Sequence, residues 1–262
     1  MRQALARGGL AAASLLTAFG AAPRAARAQD FSSEASLVEG DDAGGGRYRS
    51  PQRFAYELTF GPYRPDIDGE FNGARAPYAD YFGSGDHLLI RTELDYQFWH
   101  RYGSLAAGLG LGYFSVTGTA PVASGTGLPS GDKSQLKIVP LSLSAVYRFD
   151  YFLQTVKFPL VPFGKIGLDW AYWQNTDGMG NIATGDGGHA RGGTWGWHVG
   201  AGVALMLDFL DPDAAHDFDQ DLGVNHTGLT FEFYHADLSG LGEANRLRVG
   251  DTSWTLGLLL EF

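Results

Sequence analysis

The 262-residue chain carries a formal charge of −10, with 19 Lys and Arg against 29 Asp and Glu, 38 Gly and no Cys. That acidic balance argues against nucleic acid, whose affinity comes from basic side chains on phosphates, and a chain without Cys is no disulfide scaffold. Past the N-terminal stretch the best candidate for a helical membrane span, Val199 to Leu207, is only nine residues long and contains Gly, against the roughly 20 apolar residues required, so helical spans are excluded as well.

Residues 1–28 read as a secretory signal. Arg2 and Arg7 precede an uncharged Ala- and Leu-rich stretch from Gly8 to Ala22, and Ala26-Arg27-Ala28 offers small residues where a signal peptidase reads. Removing the segment takes away Arg2, Arg7, Arg24 and Arg27 and no acid, so −10 becomes −14. Residues 29–52, acidic and then glycine-rich from Asp41 to Gly46, are expected to be a flexible leader. Residues 53–262 are assigned to one β-barrel domain.

Eight strand candidates follow, at 53–61, 87–99, 104–116, 135–148, 160–173, 194–208, 227–237 and 251–262, each near the roughly 9–11 residues of a tilted membrane strand. Successive strand side chains face opposite sides, so parity separates two surfaces. In the first strand Phe54, Tyr56, Leu58 and Phe60 oppose Arg53, Glu57 and Thr59. In the second, Leu88, Ile90, Leu94, Tyr96 and Phe98 oppose Arg91, Glu93, Asp95 and Gln97. The third and sixth place Gly108, Gly110, Gly112, Gly196, Gly200 and Gly202 on the polar face, where a narrow interior needs room. Pro140 interrupts the fourth strand and is expected to mark a bulge that shifts its parity. In the fifth, Ile166, Leu168, Trp170 and Tyr172 oppose Lys165 and Asp169; in the seventh, Leu229, Phe231 and Phe233 oppose Thr230, Glu232 and Tyr234. The last strand sets Trp254, Leu256, Leu258, Leu260 and Phe262 against Ser253, Thr255, Gly257 and Glu261. Arg at Leu258 should therefore be costly, and Gln at Thr255 tolerated.

The connections after the odd-numbered strands are mostly long and rich in Gly, Asp and Pro, whereas those after the second and fourth are short, the asymmetry of an outer-membrane barrel with both termini in the periplasm. Residues 209–226 break the pattern. Asp211-Pro212 and Gly223 read as the N-cap, first residue and stop of a short helix whose apolar edge (Leu210, Ala214, Phe218, Leu222) could plug or cover the inner mouth. Its acidic run departs from a calcium loop: glycine comes one residue late, and position 228 is Gly where the bidentate Glu belongs. Asp177-Gly178-Met179-Gly180 and Asp186-Gly187-Gly188-His189 are too short for a calcium repeat and read as mobile loop. No cofactor or metal is expected.

Trp and Tyr gather at strand ends (Trp99, Tyr102, Tyr147, Tyr151, Tyr172, Trp173, Trp195, Trp197), as at headgroup level. A soluble barrel of the lipocalin kind would expose the charges and fill its inside with the bulky apolar set; here the charges share their face with the glycines. The lumen is thus expected to hold a polar network of Arg53, Glu57, Arg91, Glu93, Asp95, Arg148, Lys165, Asp169, His198, Glu232 and Glu261, ion-paired because an unpaired buried charge is far costlier. A Ser–His hydrolase pair finds its nearest sequence match in His235 and Ser239, about 13 Å apart along an extended strand and so too far for contact.

Phe60 to Asp68, Glu93 to Trp99, Gly103 to Phe114 and the helical insertion with Gly223-Val224-Asn225-His226 resemble the outer-membrane β-barrel family first catalogued in myxobacteria, over most of residues 53–262. The resemblance implies barrel and outer-membrane location and no established activity. A terminal Phe262 resembles the signal by which the outer-membrane assembly machinery recognises Gram-negative barrels. The expectation is an all-β fold, an eight-stranded antiparallel transmembrane β-barrel with a short periplasmic helical insertion, in contact with outer-membrane lipid. Its expected role is non-enzymatic, structural or surface-interacting; the alternatives are a lipid-modifying hydrolase or acyltransferase and a narrow pore for small solutes.

Overall fold

The computed structural model describes residues 52–121, 129–185, 188–243 and 246–262; the signal segment and the leader up to residue 51 lie outside them. Eight strands close into one antiparallel barrel: β1 (Phe54–Tyr63), β2 (His87–His100), β3 (Ser104–Pro121), β4 (Pro129–Arg148), β5 (Leu160–Thr176), β6 (Arg191–Met206), β7 (His226–Asp237) and β8 (Asp251–Glu261). Each strand pairs with its neighbour in sequence, and β1 returns to β8 through registers such as Leu58 with Leu258. Phe262 completes this seam: its carbonyl accepts from the amides of Arg53 (2.9 Å) and Phe54 (2.6 Å), and its ring stacks on Phe54.

One parity faces out on every strand. Tyr56 and Phe60, Ile90 and Leu94, Leu109 and Leu111, Leu141 and Leu143, Ile166 and Leu168, Trp195 and Val199, Leu229 and Phe233, and Leu256 and Leu258 are all exposed, so an apolar belt encircles the barrel. The opposite parity faces a filled interior.

Pro140 causes no bulge. Its neighbours keep one register against β5 (Val139 with Tyr172, Pro140 with Ala171, Leu141 with Trp170), and parity runs unbroken from Leu136 to Arg148. What changes along β4 is the chemistry of the inside: Ser144 and Arg148 point into a polar middle, and Leu136 and Ile138 into an apolar cluster at the loop end. β3 and β4 also outrun their expected lengths, because beyond the belt their hairpin continues with polar residues outside and apolar ones inside.

The connections are more structured than their composition suggests. In 64–86, Asp68 accepts from the amides of Tyr78 (2.7 Å) and Ala79 (3.2 Å), capping α1 (Pro77–Phe82) from ten residues away. Tyr78 is thereby buried at the loop end, and desolvation pushes its phenol up to about 12. The connection 177–190 holds a small hairpin of Thr184–Gly185 with Gly188–His189. The short connection after β4 coils into α2 (Tyr151–Val156). The expected helix is α3 (Pro212–Leu222), with Asp211 accepting from the Ala214 amide at 3.0 Å and Gly223 ending it at φ 71°. It buries none of its residues, and Phe218 and Leu222 are exposed, so it does not plug the mouth. Side chains of Phe163, Met206 and Leu259, with Leu153 of α2 against them, do so instead.

Candidate functional site: the charged lumen

Between the two apolar clusters lies a polar middle built by all eight strands. Lys165 of β5 is its hub, donating to Glu57 of β1 and Glu93 of β2 at 2.7 Å each and lying 3.9 Å from Glu232 of β7. Arg148 of β4 binds Asp95 and lies 3.7 Å from Glu57. Arg91 approaches Glu232 at 4.0 Å and lays its guanidinium over the Tyr234 ring, 3.7 Å from the centroid. Lower down, Gln97 donates to Glu261 at 3.2 Å.

Glycine on β3 and β6 makes this crowding possible. A Cβ added to Gly108 would land on the carboxylates of Glu93 and Asp95, and one added to Gly200 on that of Glu232. Side chains from the far wall occupy space that the near wall leaves open. Of the expected network, Glu57, Arg91, Glu93, Asp95, Arg148, Lys165 and Glu232 are brought together, and Asp169 and His198 form a second cluster beside them. Arg53 is not a member: it precedes β1 at the terminal end of the barrel, is exposed, and among the described residues contributes only backbone hydrogen bonds.

The second cluster contains an arrangement that the sequence reading missed. His198 Nδ1 is 2.9 Å from Asp169 Oδ1, and its Nε2 is 3.3 Å from Ser144 Oγ, giving a Ser–His–Asp chain. Tyr234 stacks on the imidazole and donates to Asp169 Oδ2 at 3.4 Å. Register explains it: Ser144 pairs with Gly167 and Gly167 with His198, so the ring reaches across a residue without a side chain. The available clue was the alternation Leu141-Ser142-Leu143-Ser144, which sets both serines inside. His235 and Ser239 do not combine, since His235 faces outward, bonded to Thr252 at 2.6 Å.

Gly167→Val is expected to prevent folding, because its Cβ would collide with His198 and the Leu143 carbonyl. Gly164→Val, on the outward face of the same strand, should fold normally, since its Cβ would meet only the Gly200 carbonyl at 3.8 Å. Heat-modifiable gel mobility of the two refolded variants checks this.

What the site can do chemically is limited by access. The cavity beside Ser144, Lys165 and His198 measures about 30 Å³, room for about two waters. Ser144 is 5% exposed, with Phe114 and Ile138 in the apolar cluster at the loop end and Phe163 and Met206 in the other. A larger cavity of about 330 Å³ lies at the terminal mouth, lined by Leu153, Met206, Phe209 and Asp150, whose carboxyl burial pushes above its ordinary range. Among the described residues no group of three or more His, Asp or Glu is placed to hold a metal ion.

No family model and no curated protein matches the chain. Solved structures similar to it include Ail, the attachment invasion locus protein of Yersinia pestis, at 10% identity and a TM-score of 0.39, covering 80% of this chain and 97% of that one. Neisserial surface protein A is similar at 10% identity and a TM-score of 0.39, covering 80% and 95%. The outer membrane enzyme PagL is similar at 14% identity and a TM-score of 0.35, covering 79% and 98%.

Proposed function

We propose that this chain is an outer-membrane β-barrel with a filled lumen, serving a non-enzymatic structural or surface-interaction role. The observation that carries the reading is the inversion of the barrel: charges inside, and an unbroken apolar belt outside. Such a surface is stable against lipid and a liability in water. The expected signal segment and the closing strand ending in Phe262 support export and handling by the outer-membrane assembly machinery.

The two apolar clusters argue against the pore alternative, since a continuous water column would have to open both and separate the ion pairs between them. Purified, folded protein in planar bilayers should show no sustained channel. Stable single-channel steps altered by Glu93→Gln would promote the pore.

The hydrolase alternative draws on the Ser144–His198–Asp169 chain. Acyl transfer needs a substrate carbonyl at the serine, and the cavity beside the buried Ser144, about 30 Å³, is too small for an acyl group. A fluorophosphonate probe should therefore leave the folded protein unlabelled, and labelling lost in Ser144→Ala would make the enzyme reading the better one.

A further inference from the structure

Just beyond the apolar belt, at the loop end of β4 to β6, the outward face becomes basic. Lys137 pairs with Gln174 and Gln174 with Arg191, so the three stand side by side in one cross-strand row. Lys133 lies four residues further along the same face of β4. Two of the four lysines in this acidic chain are gathered here.

We propose that Lys133, Lys137, Gln174 and Arg191 form a binding site for the phosphate groups of lipids in the outer leaflet, an inference that rests on the membrane reading above. The row inside this one holds Val139, Tyr172 and Gly193, and the next Leu141, Trp170 and Trp195, so the cations stand roughly 7 Å beyond the aromatic edge of the belt, at headgroup depth. Gln174 adds a donor. Its carbonyl oxygen accepts from the Tyr172 hydroxyl at 3.3 Å.

Among the described residues no acid stands on this outward face of β4 to β6 beyond the belt. Among the described residues none of Lys133, Lys137 and Arg191 forms an ion pair, and the outward positions nearby are Ser115, Thr117 and Gln135. Asp177, the first residue after β5, accepts at Oδ1 from the amides of Met179 (3.0 Å) and Asn181 (2.9 Å). Elsewhere on the rim Arg64 pairs with Asp68, Arg246 with Glu243 and Arg248 with Asp66. A row of donors and cations without a carboxylate, beside a belt that holds acyl chains, fits a phosphate fixed at the bilayer surface.

The test uses the full chain refolded into zwitterionic nanodiscs, titrated with a synthetic bis-phosphorylated glucosamine lipid and read by native mass spectrometry. Retention of the phosphorylated lipid at least tenfold above its phosphate-free analogue is expected, falling to the analogue's level in the triple variant Lys133→Gln/Lys137→Gln/Arg191→Gln. Equal retention by wild type and variant, or of the two lipids, would overturn the site while leaving the membrane reading intact. Displacement by inorganic phosphate at matched concentration would overturn the lipid as ligand. Wild-type protein that never enters the nanodisc would overturn the membrane reading and this site with it.

Discussion

Lys165→Met is expected to destabilise the folded barrel by about 3–5 kcal/mol, the cost of leaving buried charges without their partner. Lys165 is 6% exposed and Glu57 1%, and its ammonium holds Glu57 and Glu93 at 2.7 Å with Glu232 nearby. Met matches the length of the Lys stem, so packing is nearly kept and the loss is electrostatic. The discriminating comparison is Lys165→Met/Glu57→Gln/Glu93→Gln, which removes cation and carboxylates together. It should recover most of the stability, because an emptied network costs far less than a broken one. Urea midpoints of refolding in zwitterionic vesicles measure both; a triple variant no better than the single one would mean that Lys165 acts through packing.

Much of this arrangement was legible in the sequence because a strand has period two. Once Glu57, Glu93, Lys165 and Glu232 share the polar parity of their strands, closing the sheet gathers them on one face, and the glycines on that face mark it as the crowded inside. Which of them touch was not legible, since contact across the lumen depends on register and on the glycines opposite. Ser144 and His198 are 54 residues apart and meet only because Gly167 lies between them in the ladder. Pro140 misled for a related reason. A change from polar to apolar inward residues along β4 looks like a parity shift when the inside is assumed uniform, and Leu136 and Ile138 show that it is layered. Arg53 had the right parity but stands below the last ring of neighbours, where a side chain meets solvent.

On the outward face, Leu258→Arg should cost about 2–4 kcal/mol, the value for a cation near the bilayer midplane. Leu258 pairs with Leu58 on one side and Leu229 on the other, at the centre of the belt. Its contrast on the inward face has to be chosen from the structure. Parity alone suggested that Gln would be tolerated at Thr255, but Thr255 is 5% exposed, with its side chain against Gly61 and Glu232 across the ladder. Gln there overpacks a full lumen, at about 1–3 kcal/mol. Thr255→Val keeps the volume, and it removes a hydroxyl whose oxygen is buried without a hydrogen-bond partner among the described residues, so it should refold like wild type. Urea titrations of folding into zwitterionic vesicles should thus rank Thr255→Val above Thr255→Gln, and both above Leu258→Arg. In a barrel whose belt faced water, Arg at 258 would be harmless or helpful; wild-type stability of Leu258→Arg would therefore remove the ground for placing these strands in a membrane.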